Sequence, residues 1–215
     1  MINGIQLKIC GLTSAADAGA AAGIGADFLG FILYPKSSRF LSLDAYSRLR
    51  ADLPDLRRVA VMVRPTPGEL RVVSDSGFDF FQLHVDPETD QALAESWGEV
   101  AGVDRLWLVP HLPPDHPFPD WLLSLADTFL IDTFRQDAFG GTGATGDWGR
   151  FHDLSTEHPG KQWILAGGLN PENIAAAIRQ SGARFVDLSS GVELSPGIKD
   201  PAKLKSLATA MGGSG

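Results

Sequence analysis

Eight short apolar runs alternate with eight longer amphipathic stretches along the 215 residues of this chain. The runs are continuous and rich in Val, Ile, Leu and Phe, which is typical of strands buried on both faces of a parallel sheet. They lie at residues 6–10, 28–33, 58–63, 78–84, 105–109, 128–132, 162–167 and 185–189. This alternation restricts the chain to folds built from repeated strand–helix units.

The intervening stretches carry signals that start and stop helices. Ser14 and Ser42 stand at N-cap positions, and Pro67 occupies a first helical position, where its missing N–H loses no bond. Gly98 is expected to end the fourth helix. The predicted helices cover residues 14–23, 42–53, 66–76, 88–97, 118–126, 148–158, 170–180 and 200–211.

Eight such units predict an α/β fold, a single-domain (β/α)8 TIM barrel near the small end of its size range. The barrel is expected over residues 1–211, with residues 212–215 as a flexible tail. An open doubly wound sheet is the alternative. It is disfavoured because no Gly-x-Gly-x-x-Gly follows the first run.

Charge and composition exclude several classes of partner. The net charge of −8 opposes binding to a nucleic-acid backbone. No apolar run approaches the roughly 20 residues that cross a bilayer, and the amino terminus does not look like a signal peptide, so we expect a cytoplasmic protein without a membrane partner. The single cysteine and the scattered histidines predict no metal site. No long exposed apolar stripe is evident, which favours a monomer over a homodimer.

The carboxyl ends of the predicted strands hold the candidate site, because barrels place their active sites there. These positions carry Cys10, Tyr34, Arg64, His84, His111, Asp132, Gly167-Gly168 and Ser189-Ser190-Gly191. Cys10 and Asp132 follow strands one and six and would face each other across the barrel mouth. A thiol and a carboxylate so placed suit a reaction that needs a base on one side of a substrate and an acid on the other.

Glycine-rich turns follow strands seven and eight, the usual phosphate site of a barrel. Gly167-Gly168 and Ser189-Ser190-Gly191 let the backbone approach an oxyanion closely. A third such loop, Gly140-Gly141-Thr142-Gly143, follows strand six and could close over a ligand. The sequence therefore predicts a phosphate-binding barrel whose partner is a small phosphorylated molecule.

Seven segments of the chain resemble one enzyme family, phosphoribosylanthranilate isomerase. They occur in the order and spacing of the family and span nearly the whole chain. Each alone is weak evidence, since other phosphate-binding barrels share glycine turns, but together they are specific. They are Lys8-Ile9-Cys10-Gly11-Leu12-Thr13, residues 30–40, Gln82-Leu83-His84, Ile131-Asp132-Thr133, residues 140–143, Leu165-Ala166-Gly167-Gly168-Leu169 and residues 186–193.

The resemblance implies an aldose–ketose isomerase of L-tryptophan biosynthesis, acting at the third step from chorismate. Such an enzyme converts N-(5′-phosphoribosyl)anthranilate to 1-(2-carboxyphenylamino)-1-deoxyribulose 5-phosphate by an Amadori rearrangement. Asp132 would be the general acid that opens the furanose ring, and Cys10 the general base that removes the C2′ proton. No cofactor is implied, because the substrate nitrogen serves as the electron sink.

The resemblance also implies substrate contacts. Arg39 resembles the residue that contacts the anthranilate ring or its carboxylate, Asp187 would lie near the sugar hydroxyls, and His84 near the mouth. The glycine turns would supply further contacts from Gly141, Thr142, Gly143, Gly167, Gly168, Ser189, Ser190 and Gly191. Lys8 shares a strand face with Cys10, so its ammonium is expected beneath the thiol, where it would favour the thiolate.

Some positions depart from the family pattern, and other functions stay open. Ala144, Gly146 and Val85 replace residues more usual in the family, and strand five lacks a basic residue often found there. A related phosphoribosyl-sugar isomerase of the histidine pathway is one alternative, although such enzymes generally use paired aspartates. A non-catalytic binder of phosphorylated ligands is the other, and loss of Cys10 or Asp132 would have supported it.

Overall fold

A computed structural model describes residues 1–113, 116–132 and 147–212, and it confirms the predicted barrel. Eight parallel strands close on themselves in sequence order, each hydrogen-bonded to the next and β8 to β1. The strands are β1 Gln6–Ile9, β2 Phe28–Ile32, β3 Arg57–Val63, β4 Phe80–Val85, β5 Leu106–Pro110, β6 Thr128–Ile131, β7 Gln162–Leu165 and β8 Phe185–Leu188.

A helix follows each strand and packs on the outside of the barrel. The helices are α1 Ala15–Gly23, α2 Leu43–Leu49, α3 Pro67–Ser74, α4 Gln91–Ala101, α5 Asp120–Leu125, α6 Trp148–Glu157, α7 Ile174–Ser181 and α8 Pro201–Gly212. The first three begin where their caps predict, because the hydroxyls of Ser14, Ser42 and Thr66 accept hydrogen bonds from the backbone N–H three residues on.

Several predicted element boundaries are shifted. For example, α4 and α7 begin at Gln91 and Ile174 rather than at residues 88 and 170, and two other shifts have a clear cause. Gly98 lies inside α4, and the helix ends instead at Gly102, whose φ of +81° suits glycine. Strand β4 begins at Phe80 rather than Phe78, since Phe78 stacks on Tyr46 of α2 with ring centroids 4.0 Å apart. A buried aromatic outside the barrel is thus easily mistaken for the first residue of a strand.

A small antiparallel hairpin after β8 was not predicted. It pairs β9, Glu193–Ser195, with β10, Ile198–Lys199, and turns at Gly197, whose φ is +81°. Strands this short show no hydrophobic periodicity, so the sequence pattern could not reveal them. The hairpin matters for the site because it carries the buried side chains of Glu193 and Lys199.

Aromatic side chains fill the amino-terminal half of the barrel interior. Phe28, Phe80, Trp107 and Phe185 stand at the beginnings of their strands and contact one another with ring centroids 4.9 to 5.8 Å apart. Such pairs add specific geometry to the burial of apolar area. His84 and Asp187 point into the barrel nearer the carboxyl ends of their strands.

No helix within the described ranges is long and apolar enough to span a membrane. Of the predicted tail, Gly212 is the last residue of α8, and residues 213–215 lie outside the described part of the chain.

Candidate active site

A pocket at the carboxyl ends of the strands brings most of the predicted site residues together. It encloses about 790 Å³, including its open mouth. Its lining contains the candidates Cys10, Arg39, His84, Asp132, Gly167, Gly168, Asp187, Ser189 and Ser190. Gly191 is not part of the lining, and Gly141, Thr142 and Gly143 lie outside the described residues.

Cys10 follows β1 directly and points into this pocket. Its backbone N–H donates to Leu188 O at 2.8 Å, and the residue is only 5% exposed. Gly30 of β2 makes room for the thiol, because a Cβ atom there would stand 3.0 Å from Cys10 Sγ and 2.9 Å from Lys8 Cε. The glycine is required here by the close approach of two side chains rather than by an unusual backbone angle.

Lys8 and Asp187 form a buried ion pair in the wall below Cys10. They are register partners in the β1–β8 pair, and Lys8 Nζ donates to Asp187 Oδ2 at 2.9 Å. Lys8 lies on the same face as Cys10, as the alternation of side chains predicts. Although burial disfavours its charge, the Asp187 carboxylate and the Cys10 thiol raise the pKa of Lys8, so the ammonium stays protonated.

Opposing influences act on the pKa of the Cys10 thiol. Burial raises its pKa and is the largest influence. The ammonium groups of Lys8 and Lys199 act in the opposite direction, and the Asp187 carboxylate raises the pKa further. The expectation that Lys8 favours the thiolate is thus right in direction, but burial outweighs it and the resting pKa is raised.

Arg39 is held by the hairpin that the sequence did not reveal. Its Nε and Nη2 donate to both oxygens of Glu193, at 2.7 to 3.1 Å, in the forked geometry that suits a guanidinium and a carboxylate. Lys199 Nζ donates to the same carboxylate at 2.8 Å and to Ser189 O at 3.3 Å. Burial opposes ionisation of Glu193, but these bonds outweigh it and lower its pKa.

Sequence reasoning assigned no role to Glu193 or Lys199. Glu193 appeared only as the last residue of a motif, and Lys199 was not considered. The available signal was weak, a lysine two residues after a glycine turn, and only the folded hairpin shows that both side chains are buried.

His84 lines the pocket as a buried neutral group. Burial lowers its pKa from 6.5 to about 4, and the charges of Lys8 and His111 add to this effect. His84 therefore carries no charge at neutral pH, and it lies in the wall, 9% exposed.

The turns after β7 and β8 are shaped by their glycines. Gly167 and Gly168 take φ values of +91° and +63°, which few other residues adopt. Gly191 packs so closely on the preceding turn that a Cβ atom there would collide with Leu169 O. The hydroxyl of Ser189 is buried and has no hydrogen-bond partner among the described residues. These features suit a site in which backbone groups and one free hydroxyl bind an anion.

Asp132 stands one residue beyond β6 and lines the pocket that also contains Cys10. It is partly buried.

Of the positions that depart from the family pattern, Val85 is fully buried on the side of β4 that packs against the helices, while Ala144 and Gly146 lie outside the described residues. Among the residues that can be described, no group of three or more His, Cys, Asp or Glu side chains could hold a metal ion.

Sequence comparisons with known proteins lead to one enzyme family. The sequence model described as N-(5'phosphoribosyl)anthranilate (PRA) isomerase matches residues 7–210. A relative of that name from Granulibacter bethesdensis is 38% identical over 215 residues, which covers 96% of this chain and 97% of the relative. Another from Synechococcus sp. is 36% identical and covers 97% of this chain and 96% of that protein.

Solved structures agree. The phosphoribosyl anthranilate isomerase of Thermotoga maritima is 31% identical, has a TM-score of 0.78 and matches 97% of this chain and 99% of its own. A second structure of such an isomerase, 30% identical with a TM-score of 0.74 and the same coverage, contains reduced 1-(o-carboxyphenylamino)-1-deoxyribulose 5-phosphate. The Thermotoga maritima enzyme is also described as dimeric, so the expectation of a monomer for the present chain stays a prediction.

Proposed function

This chain belongs to the N-(5′-phosphoribosyl)anthranilate isomerase family of tryptophan biosynthesis, and we propose that it converts N-(5′-phosphoribosyl)anthranilate to 1-(2-carboxyphenylamino)-1-deoxyribulose 5-phosphate with Cys10 as base and Asp132 as acid. The observation that carries the proposal is the pocket itself. One thiol and one carboxylate, from the ends of strands one and six, line the same cavity as two glycine turns. A relative with this fold binds a reduced form of the product.

In the first step Asp132 donates a proton to the ring oxygen of the ribose while the bond from C1′ to that oxygen breaks. The electron pair of the anthranilate nitrogen forms the C1′=N bond, so that an open-chain iminium results. The carboxylate of Asp132 is left behind. A carboxyl group positioned for this transfer acts as a general acid.

In the second step the Cys10 thiolate removes the proton from C2′. The C–H electrons form a C1′=C2′ double bond and the electrons of the C=N bond return to nitrogen. The resulting enolamine tautomerises to the ketone, with a proton gained at C1′ and one lost from the C2′ hydroxyl. Atoms and charges balance without any external oxidant or reductant.

The charges around Cys10 suit a base whose thiol ionises in response to the substrate. In the resting pocket burial raises the pKa of Cys10 despite Lys8 and Lys199. The iminium formed in the first step places a further positive charge close to the thiol, which favours the thiolate at the moment when it is needed.

Binding contacts follow from the same geometry. The turns at Gly167-Gly168 and Ser189-Ser190-Gly191 would hold the phosphate, and the Asp187 carboxylate, whose Oδ1 has no partner within the described ranges, would accept from a sugar hydroxyl. The forked guanidinium of Arg39 would face the anthranilate group. We also propose that Gly141, Thr142 and Gly143 contribute, on the strength of the family motif alone.

The test is kinetic. Phosphoribosylanthranilate is generated in place, and its consumption is followed with the wild type, Cys10→Ser and Asp132→Asn. Turnover by the wild type that falls at least about a thousandfold in each variant, with circular dichroism and melting temperature unchanged, is the expected result. Wild-type protein without turnover would refute the reaction, and full activity in either variant would refute the role of that residue.

A further inference from the structure

Gln82 is a buried polar residue to which the reaction described above gives no part. It lies in β4 between Phe81 and Leu83, whose side chains pack against the helices, so Gln82 points into the barrel. The residue is 3% exposed and lines the pocket that contains Cys10 and Asp132.

The carboxamide oxygen of Gln82 has no hydrogen-bond donor within the described part of the chain. Its register partners on the neighbouring strands are Val61 and Trp107, of which Val61 offers no polar group and Trp107 belongs to the aromatic layer. A buried acceptor without a donor destabilises a fold, whereas an apolar side chain of the same size would not. Folding alone therefore does not account for a glutamine at this position.

The pocket concentrates acceptors of this kind. Five buried side-chain atoms in the described residues have no hydrogen-bond partner, and three of them, Gln82 Oε1, Asp187 Oδ1 and Ser189 Oγ, belong to residues that line this pocket. All three are oxygens. The carboxamide oxygen of Gln82 and the Asp187 carboxylate only accept, so a ligand that satisfies these two must present hydroxyl or N–H donors, as the ribose hydroxyls and the secondary amine of the proposed substrate do, whereas the Ser189 hydroxyl can also donate to an anion.

We propose that Gln82 is a substrate-contacting residue, whose carboxamide oxygen accepts a hydrogen bond from a hydroxyl or N–H of the sugar–amine part of the substrate. This assignment rests on the proposed function. A neutral amide suits the place, because it supplies an acceptor without adding a second negative charge to the pocket that Asp187 also lines, and without taking part in proton transfer.

The decisive variant is Gln82→Met, which keeps the volume and removes the amide. Without ligand, its melting temperature should equal or exceed that of the wild type by a few degrees, since an unsatisfied acceptor has been removed. Its kcat/KM should nevertheless fall about ten- to a hundredfold. The rise in melting temperature caused by the reduced product analogue should shrink, while that caused by inorganic phosphate should not change.

Gln162 provides a control outside the pocket. It is an exposed glutamine of β7 whose amide is satisfied, accepting from Thr128 Oγ1 and donating to Gln6 Oε1, both at 3.2 Å. Gln162→Met should lower the melting temperature and leave kcat/KM as it is. The two glutamines are thus expected to respond in opposite ways.

Three results would overturn the assignment. One is an unchanged kcat/KM in Gln82→Met beside an active wild type. Another is a fall in kcat/KM that comes with a lower melting temperature and undiminished stabilisation by the analogue, which would mean a structural role. Absence of turnover by the wild type would remove the proposed function itself, and this assignment with it.

Discussion

Lys8 and Asp187 meet across the strands that close the barrel, with the ammonium nitrogen 2.9 Å from a carboxylate oxygen and Lys8 fully buried. The pair joins the first strand to the last directly below Cys10. Buried ion pairs contribute little net stability, because desolvation offsets the attraction between the charges. Because the pair lies in the pocket wall directly below Cys10, its two charges instead shift the pKa of the thiol.

The first prediction concerns that control. Lys8→Met should raise the pKa of Cys10, since the ammonium opposes the effect of burial, and Asp187→Asn should lower it, since the carboxylate adds to that effect. The rate of alkylation by iodoacetamide, measured against pH, reports the thiolate fraction. At pH 8 we expect Lys8→Met to react roughly three- to tenfold more slowly than the wild type. Identical pH profiles in all three proteins would contradict the prediction.

Gly30→Ala should damage the site through contact alone. The new methyl group would stand 2.9 Å from Lys8 Cε and 3.0 Å from both the Sγ and Cα atoms of Cys10. We expect a loss of about 1–3 kcal/mol in the free energy of unfolding, measured in urea, and at least a tenfold loss of activity. Gly19→Ala, in α1 with no atom within 4 Å of the new group, is the control and should be neutral or slightly stabilising. Equal behaviour of both variants would show that the close approach is unimportant.

Glu193→Gln should release Arg39 from its forked partner. If the guanidinium faces the anthranilate group, the KM should rise about tenfold while kcat changes much less. Inhibition by free anthranilate should weaken and inhibition by inorganic phosphate should persist, a difference that general damage to the fold would not produce. The variant should also lose about 3 kcal/mol of stability, because the buried Lys199 loses its anionic partner. Glu69→Gln, at an exposed cap of α3, should change none of these. Parallel loss of both inhibitors would argue against a positioning role.

The pKa of His84, lowered from 6.5 to about 4, predicts a loss of stability in mild acid. Between those pH values the unfolded chain binds a proton that the folded protein does not, so stability falls as the pH decreases through this window. By pH 4.5 the contribution should reach roughly 2–3 kcal/mol relative to pH 7. Urea unfolding at both pH values should show this difference between the wild type and His84→Gln, whose amide does not titrate. A variant that loses as much stability as the wild type would refute the shift.

Strand-end positions predicted most of the residues that meet in the pocket, although Arg64 and His111 are not part of its lining. The eight apolar runs fixed the number and order of the strands, and Cys10 and Asp132 line one pocket because each follows its strand by one residue. The sequence also predicts where the first three helices start, at Ser14, Ser42 and Thr66, since capping depends on local sequence. The boundaries at Gly98 and Phe78 were misjudged because glycine and phenylalanine serve more than one role, and only tertiary packing selects among them.

The local sequence pattern was sufficient to predict the barrel, the thiol and carboxylate at its mouth and the glycine turns. Each of these features depends on periodicity or on position along a strand. Closure of the barrel decided the rest. It joined Lys8 to Asp187 across 179 residues of sequence and brought Glu193 and Lys199 to Arg39 from a hairpin too short to leave a pattern. It also left the oxygen of Gln82 buried without a donor in the part of the chain that the structure describes. Whether a residue is buried and whether its charge is paired depend on its neighbours in space, and segments far apart in the chain supply those neighbours.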